Sequence, residues 1–503
     1  MIQFRARGLI LLIFPIGWYH SQGLFVGWEE FYAGITLLSF ALTACALQVL
    51  GPANKRTVHL WLILTLYLIG YYIKFYVLCY FKLDSASDYL LNRYPLETDL
   101  LSNPDLLFEY SALVTAVLGC IVAVFYILNR GIRRRGWRSA IVLLPSPWFY
   151  LPASRIKSIL SAAVVLTIVL VCLQVALGIG YVSGAERQTV QLPFRLAGII
   201  MAIYYGVVPL LFLVAIWMAD AKGAQSLARQ AIAAYLMFGL VAGVLSTSKA
   251  IVITTIVSLA VLWLVTSKFD RRRFVLLLSM IPFVMLLNGF LSLNRTMRVT
   301  NPELSIFDVG LIAMESMFDL LGTASMDDDS TGVFTYLGVI MRINGADSLL
   351  NILNYSPQIS LDQAMNLLIG TEVSVGHYYA QEILGNHTNF GLAFSPSLVG
   401  FFRIIGGNGL LACAGVALYV LFWHVVFQRV LRARLLIEPI VLSSLMLLVG
   451  LFTSEGTLEG MPSKLLVAIF FAGVGELVLR YFAPWRRGRA GVATLPKEPL
   501  VDP

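Results

Sequence analysis

Six basic residues lie where the charge pattern of a membrane protein would not place them. Some flank or lie within the longest polar segment of the chain, and the others lie at helix ends on the same non-cytoplasmic side of the predicted topology. The six residues are Arg195, Lys249, Arg295, Arg298, Arg342 and Arg403. Lysine and arginine normally collect in cytoplasmic loops, so cations on the opposite side need a partner. Arginine binds phosphate through two parallel hydrogen bonds, and ionisable groups near the membrane interior often mark a functional site. These residues are therefore candidates for holding a phosphate group, the alternative being that each pairs with a nearby acid or a lipid headgroup.

A histidine in the same polar segment is a candidate general base. His387 lies in the glycine-containing stretch Gly385-Asn-His-Thr-Asn389. An imidazole close to clustered cations can take a proton from an attacking hydroxyl group. The acidic alternatives for this role are Glu372, Glu382 and Asp347, and a purely structural role for His387 is also open.

The motifs of several common enzyme classes are missing from the chain. It contains no Walker A sequence, no Gly-x-Ser-x-Gly, no dinucleotide fingerprint and no cysteine or histidine spacing typical of a metal site. The acidic run Asp327-Asp328-Asp329 could bind a divalent cation, but such a run is more typical of a solvated turn. We therefore expect no cofactor and no metal, and a substrate that arrives already activated.

The candidate residues are set in a chain that consists mostly of apolar runs. Of 503 residues, 58% are hydrophobic and 13% are charged, whereas soluble domains carry roughly 25% charged residues. About a dozen runs have the length of about 20 residues that a helix needs to cross a bilayer. They cover residues 8–26, 31–51, 58–81, 107–128, 158–180, 194–218, 230–247, 249–267, 274–292, 405–428, 435–453 and 461–482. The net charge of +8 follows from membrane topology and attraction to anionic lipid, and it gives no reason to expect nucleic acid.

Basic residues alternate from loop to loop and so predict the topology. Both termini are predicted in the cytoplasm, with an even number of spans between them. The predicted fold is all-α, a polytopic membrane helix bundle of about 12 transmembrane helices with one large periplasmic loop of short helices. The chain divides into residues 1–292 with nine spans, a long periplasmic loop at 293–398, three spans within 399–483 and a cytoplasmic tail at 484–503. Loop helices, such as the apolar repeat from Asp347 to Leu353, are expected on the outer membrane–water boundary.

Three features of the sequence resemble the oligosaccharide repeat unit polymerases, the Wzy-type O-antigen polymerases of the O-antigen polymerase and ligase superfamily. One is Leu245-Ser-Thr-Ser-Lys249-Ala, a turn of small residues with a cation that opens an apolar helix. In that family the cation is commonly arginine rather than lysine. Another is a single large periplasmic loop late in the chain. The last is the exit from this loop, which runs through Asn386-His387-Thr-Asn389, Ser395-Pro-Ser397 and Gly400 to Gly406-Gly407-Asn408-Gly409.

The resemblance implies a glycosyltransferase with a GT-C-like fold in the bacterial inner membrane. Such enzymes join repeat units carried on undecaprenyl pyrophosphate at the periplasmic face, in O-antigen or exopolysaccharide biosynthesis. The implied catalytic residues are His387, Arg342 and Arg403, and the implied substrate-binding residues are Arg195, Lys249, Arg295, Arg298, His377 and Tyr378. The implied partners are undecaprenyl-pyrophosphate-linked oligosaccharides and the lipid bilayer, with a chain-length regulator as a further candidate.

Other functions stay open on the sequence. A transporter of a lipid-linked glycan or of a small solute is the main alternative, because Lys74, Glu476 and Arg480 lie inside predicted spans. An O-antigen ligase would use the same donor with a different acceptor. A structural or regulatory membrane protein fits least, because it gives no reason for the cations on the outer side.

Overall fold

The computed structural model describes the helical part of the chain. The described residues are 29–51, 56–81, 103–134, 152–177, 203–246, 249–266, 270–277, 345–356, 358–369, 396–433, 437–455 and 461–482, with isolated residues between them. The predicted span at 8–26, most of the one at 274–292, most of the long loop and the tail at 484–503 lie outside the described residues. Within the described part the regular structure is helical, and Ile359 and Ile405 form one isolated parallel bridge.

Several described helices are suited to crossing a membrane. Six are long and apolar enough: Val58–Tyr76, Pro104–Asn129, Ala153–Ala176, Ile203–Ala221, Gln225–Leu245 and Gly409–Ala433. Three shorter apolar helices also coincide with predicted spans: Ile35–Leu50, Ile251–Val265 and Glu438–Ser454. The helical fold class is thereby confirmed, and the apolar helices support the prediction of a membrane protein. The total of about 12 spans and the orientation in the membrane stay predictions.

The helices follow one another in chain order with these bounds. The first are α1 (Glu29–Leu50), α2 (Val58–Tyr67), the π-helical segment π1 (Leu68–Ile73), α3 (Lys74–Phe81), α4 (Pro104–Arg134) and α5 (Ala153–Leu177). Next come the π-helical segment π2 (Ile203–Val207), α6 (Val208–Ala221), α7 (Gln225–Leu245) and α8 (Lys249–Val265). The remaining helices, from the long polar segment onward, are α9 (Ala346–Tyr355), α10 (Leu361–Ile369), α11 (Leu398–Ile404), α12 (Gly409–Ala433), α13 (Glu438–Glu455) and α14 (Met461–Phe482).

Two packed groups of helices make up the bundle. One contains α1, α2, α4, α12 and α13, and the other contains α5, α6, α7 and α8. The groups meet chiefly where α8 packs against α13. Side chains such as Ile63, Val117 and Val416 are fully enclosed in the first group. Because lipid is as apolar as these side chains, close packing and hydrogen bonds hold such helices together more than exclusion of water does.

Contacts between helices show which of their ends lie together. Asn129, late in α4, donates a hydrogen bond to the carbonyl of Val49, late in α1, so these helices run in the same direction. A Cβ added at Gly409, the first residue of α12, would lie 3.4 Å from the side chain of Leu113. The start of α12 therefore lies beside the first turns of α4. α1, α4 and α12 therefore share one direction.

The continuous helix α2–π1–α3 runs the opposite way. His59, near its start, is bonded to His424 in the second half of α12. Lys74 comes near its other end, beside the first turns of α4. We call the end of the bundle that contains Lys74 and the starts of α4 and α12 the Lys74 end, and the opposite end the His59 end.

One helix of the long polar segment returns into the bundle. α9 packs against π1, α3, α4 and α11, and every residue from Ala346 to Leu353 is buried. The sequence predicted a helix here but placed it on the membrane boundary. α9 lies inside the bundle instead, because Asp347 on its polar face pairs with Lys74. This pairing allows the polar face to be buried together with the apolar face.

Candidate functional site

A buried ion pair joins a membrane-spanning helix to the long polar segment. Lys74 Nζ lies 2.7 Å from Asp347 Oδ2, with the lysine side chain fully enclosed and the aspartate side chain 6% exposed. The other carboxylate oxygen, Oδ1, accepts a hydrogen bond of 3.4 Å from the backbone N–H of Gly345. A charge in an apolar interior requires a partner of opposite sign. The pair therefore holds α9 inside the bundle.

Gly345, which precedes α9, allows this helix to approach the central helix closely enough for the pair. A Cβ at Gly345 would overlap the backbone carbonyl group of Gly70. Gly70 belongs to π1, and π-helical segments within α-helices are frequent at functional sites. Lys74 follows Gly70 by four residues and Asp347 follows Gly345 by two. The glycine contact therefore sets the register in which the two charges meet.

Tyrosine side chains fix π1 to its neighbours. The hydroxyl of Tyr71 accepts a hydrogen bond of 2.8 Å from the backbone N–H of Val399, which ties α11 to π1. Tyr110 of α4 donates to the carbonyl of Tyr71, and Tyr67 donates to the carbonyl of Val114 at 2.6 Å. α9, α11 and the central helix are thus joined by polar contacts at one end of the bundle.

Two more polar side chains of α9 are buried without a hydrogen-bond partner among the described residues. They are Ser348, through its hydroxyl oxygen, and Asn351, through both amide atoms, and each residue is 1% exposed. Asp347 and Asn351 are four residues apart and so lie on one face of the helix, with Ser348 beside them. A buried polar group without a partner costs on the order of 1–3 kcal/mol. This face would therefore be stabilised by a water molecule or by the hydroxyl group of a ligand.

Arg403 is the only predicted site residue whose side chain lies within the described part of the chain. It belongs to the last turn of α11, and its Nη2 is 3.1 Å from Oε1 of Glu109 in α4. The arginine side chain is 12% exposed and the glutamate side chain 49% exposed. This pair corresponds to the alternative that the sequence left open, in which a nearby acid neutralises the cation. Because α11 is bonded to Tyr71, Arg403 belongs to the Lys74 end.

The other predicted site residues are not brought together in the described part. Lys249 is the first residue of α8, as the sequence predicted, and only its backbone is described. Seven others lie outside the described residues: Arg195, Arg295, Arg298, Arg342, His377, Tyr378 and His387. The convergence of several cations on one phosphate group therefore stays a prediction.

Sequence reasoning missed a pair of histidines at the opposite end of the bundle. His59 Nε2 lies 3.2 Å from His424 Nδ1, and both residues are buried. The His59 ring stacks on Phe427 with 4.3 Å between ring centroids, and its Nδ1 has no hydrogen-bond partner within the described part of the chain. Among the described residues, no group of three or more His, Cys, Asp or Glu side chains could hold a metal ion. A histidine in each of two spans was the available signal, but nothing local in the sequence pairs them.

Two cavities in the described part of the chain lie in different parts of the bundle. A cleft of about 30 Å³ lies at the Lys74 end beside Tyr72, Tyr110 and Thr115. This volume holds about two water molecules and is too small for a sugar ring. A wider groove of about 430 Å³ lies between the starts of α5 and α7, beside Lys157 and Gln230. The small cleft provides space for water next to π1.

No protein-family model, no curated protein and no solved structure matches this chain. A functional assignment therefore rests on the sequence features and on the geometry described above.

Proposed function

We propose that this chain is a glycosyltransferase of GT-C-like architecture in the bacterial inner membrane. It polymerises oligosaccharide repeat units linked to undecaprenyl pyrophosphate, with the Lys74 end facing the periplasm and both termini in the cytoplasm. The observation that carries the proposal is the burial of α9, by which one helix of the long polar segment packs among the candidate spans at one end of the bundle. A lipid-linked substrate requires this combination, because its diphosphate lies at the membrane surface while its sugars project beyond it.

The proposed reaction exchanges one bond at the anomeric carbon for another. The bond from this carbon to the pyrophosphate oxygen breaks, and undecaprenyl pyrophosphate leaves with the electron pair. A hydroxyl oxygen of the next repeat unit forms the new glycosidic bond, and its proton passes to a base, for which His387 is the candidate. Fixed cations stabilise the negative charge that develops on the leaving group. We assign this role to Arg342 and Arg403, pyrophosphate binding to Arg195, Lys249, Arg295 and Arg298, and glycan contact to His377 and Tyr378.

The two ion pairs of the Lys74 end differ in how easily a phosphate group could reach them. Glu109 is half exposed, so a pyrophosphate can take its place beside Arg403 at little energetic cost. Lys74 is fully enclosed and bonded to Asp347, so the same exchange would strand a buried carboxylate. Arg403 is therefore the better candidate for contact with substrate. Lys74 and Asp347 act as positioning residues that keep α9 in place.

A transporter of a lipid-linked glycan or a small solute is the second candidate. The observation that favours it is the Lys74–Asp347 pair itself, because charges inside a membrane span often mark a transport pathway. The two functions predict different products when the protein is lost. Without a polymerase, single repeat units still reach the cell surface, whereas without a glycan transporter they do not.

Deletion of the gene followed by gel analysis of surface polysaccharide tests the proposal. We expect single-repeat products in place of a ladder of lengths. Loss of all attached glycan would favour a ligase, and absence of repeat units from the surface would favour a transporter. An unchanged ladder would contradict all three functions.

Complementation of the deletion strain tests the role of Arg403. Arg403→Gln is expected to leave the ladder absent although the protein is present in the membrane. The matched control is Arg273→Gln, because Arg273 also forms a partly exposed ion pair, at 2.7 Å with Asp220. The control is expected to restore the ladder. Equal ladders from both variants would remove Arg403 from the site.

A further inference from the structure

The wide groove between the first turns of α5 and α7 has the size and lining of a binding site. Its volume of about 430 Å³ falls within the range of about 300 to 1,000 Å³ that is typical of ligand sites. We call it the Lys157 groove, because Lys157 is the one charged side chain among the described residues that line it. Ser154, Gln225, Ser226 and Gln230 add hydroxyl and amide groups. The lining therefore offers a cation and neutral hydrogen-bond donors.

Further basic residues surround the Lys157 groove. Arg155 lies in the first turn of α5, Lys222 in the turn that precedes α7, and Arg229 in the second turn of α7. The side chains of Arg155, Lys157 and Arg229 are exposed, and that of Lys222 is partly exposed. A concave surface with charges of one sign concentrates ions of the opposite sign. The groove is therefore suited to an anion.

These four cations differ from other basic residues of the bundle in that the protein does not neutralise them. Arg273 pairs with Asp220 at 2.7 Å, and Arg403 pairs with Glu109 at 3.1 Å. In the part of the chain that the structure describes, no acidic side chain forms an ion pair with any of the four. Their positive charge is therefore available to a ligand.

The exposed face of α5 continues from the groove as an apolar surface. Val165, Ile168 and Val169 are exposed on this helix, which is long and apolar enough to cross a membrane. Ile168 follows Lys157 by eleven residues, or three helical turns, so the two residues lie on one face, about 16 Å apart along the axis. A cation at one end of an exposed apolar face suits a phospholipid, whose phosphate and acyl chain need these two surroundings side by side.

The charge pattern of the sequence predicts the side of the membrane on which the groove lies. Basic loops precede α5 and α7, so their first turns are predicted on the cytoplasmic side. Basic pockets between membrane-spanning helices on that side bind anionic lipid headgroups. Topology alone accounts for cations near this surface, but it does not account for a groove between two helices with a lysine in its lining.

We propose that the Lys157 groove binds the phosphate headgroup of an anionic phospholipid, whose acyl chain lies along the exposed face of α5. Lys157 pairs with the phosphate, and the hydroxyl groups of Ser154 and Ser226 donate hydrogen bonds to its oxygens. The bound lipid joins the first turns of α5 and α7. Lipid binding here does not require the polymerase function, because the groove is predicted on the membrane side opposite the Lys74 end.

Binding of two phospholipids to the full-length protein in neutral detergent micelles tests the proposal. Phosphatidylglycerol carries a net negative charge and phosphatidylcholine does not, and native mass spectrometry measures the affinity for the first molecule of each lipid that binds. The wild type is expected to prefer phosphatidylglycerol about thirtyfold, since each of two nearby cations contributes about fivefold. Lys157→Gln with Arg229→Gln is expected to bind the two lipids about equally.

A matched control separates the groove from surface charge in general. Arg271→Gln with Arg272→Gln removes the same number of exposed cations on the same predicted side, and it is expected to keep the wild-type preference. Ser226→Trp fills the groove without a change of charge, and it is expected to weaken phosphatidylglycerol binding about tenfold or more. Wild-type binding by either groove variant would overturn the proposal, as would equal losses of preference in the two double variants.

Two further measurements distinguish a lipid from a free phosphate. Glycerol phosphate, which has the headgroup chemistry without acyl chains, is expected not to displace phosphatidylglycerol, and displacement at equal concentration would overturn the assignment to a lipid. Added phosphatidylglycerol is expected to raise the unfolding temperature of the wild type and not that of Lys157→Gln with Arg229→Gln, because a ligand stabilises the folded state that binds it. An equal rise in both proteins would contradict binding in the groove.

Discussion

The Lys74 end and the His59 end of the bundle contain different kinds of buried polar contact. At the Lys74 end, opposite charges meet at 2.7 Å in the enclosed pair of Lys74 and Asp347. At the His59 end, the imidazoles of His59 and His424 meet at 3.2 Å. An ammonium and a carboxylate both need their partner when buried, whereas an imidazole can be neutral and carries a smaller penalty when left alone.

The stability of the Lys74 end therefore depends on a single contact more strongly than the stability of the His59 end does. The Lys74–Asp347 pair decides whether a helix from outside the spans lies within the bundle. The histidine pair only supports two spans that pack together through apolar side chains in any case. Substitutions at the two ends therefore should not have equal effects.

The largest effect is expected from Asp347→Leu, which removes the carboxylate that lies 2.7 Å from the enclosed Lys74 ammonium. The free energy of unfolding is expected to fall by about 3 to 5 kcal/mol. The double variant Lys74→Met with Asp347→Leu is expected to recover most of this loss, because both buried charges are removed together. Unfolding of the purified protein in mixed detergent micelles measures both. A double variant that is as unstable as the single one would show that the charges are not coupled.

A smaller loss is expected from Gly345→Ala, which tests the approach of α9 to π1. The added methyl group would overlap the carbonyl of Gly70, so the two segments must move apart. Overpacking of this kind costs about 1 to 3 kcal/mol. Gly119→Ala is the control, because the nearest atom to a Cβ there is Leu42 Cδ1 at 3.9 Å. The same unfolding measurement applies, and a loss of stability in the control but not in Gly345→Ala would contradict this packing.

At the His59 end, His59→Phe is expected to lower the free energy of unfolding by about 1 kcal/mol, the value of one hydrogen bond. The ring stack on Phe427 can persist in the variant, and no charge is stranded. Equal losses in the free energy of unfolding for His59→Phe and Asp347→Leu would contradict the proposed difference between the two ends.

The smallest effect on stability is expected from Arg403→Gln. Its partner Glu109 is half exposed, and such ion pairs contribute about 0.5 kcal/mol. Arg273→Gln serves as the matched control, and both variants should unfold close to the wild type. A large loss of stability in Arg403→Gln alone would make any loss of activity a folding defect and not the loss of a phosphate contact.

The helix bundle could be predicted from the sequence because length and apolar composition decide which segments cross a membrane. The helix at 346–355 was also predicted, from the apolar spacing between Asp347 and Leu353. Its burial was not, because an amphipathic pattern is the same for a helix on a surface and for one whose polar face meets a buried partner. That partner, Lys74, lies in a different span far away in the chain, and sequence periodicity contains no information about it.

The residues of the candidate site could likewise be predicted from the sequence only in part. The side-chain types that suit a diphosphate were recognisable, and Arg403 does lie at the end of the bundle where α9 is buried. The tyrosines of π1 carried no signal, since polar residues within apolar runs are usually satisfied by neighbouring helices. Only the packed structure shows that Tyr71 bonds to the backbone of Val399 in α11.

The most direct test of the polymerase function uses the purified protein and one substrate. Full-length protein in nanodiscs is mixed with single-repeat undecaprenyl pyrophosphate extracted from the deletion strain, and the products are separated by length. We expect products of two, three and more repeat units, formed with release of undecaprenyl pyrophosphate, and none with Arg403→Gln. Protein that binds this lipid and leaves every molecule at one repeat unit would contradict the polymerase function.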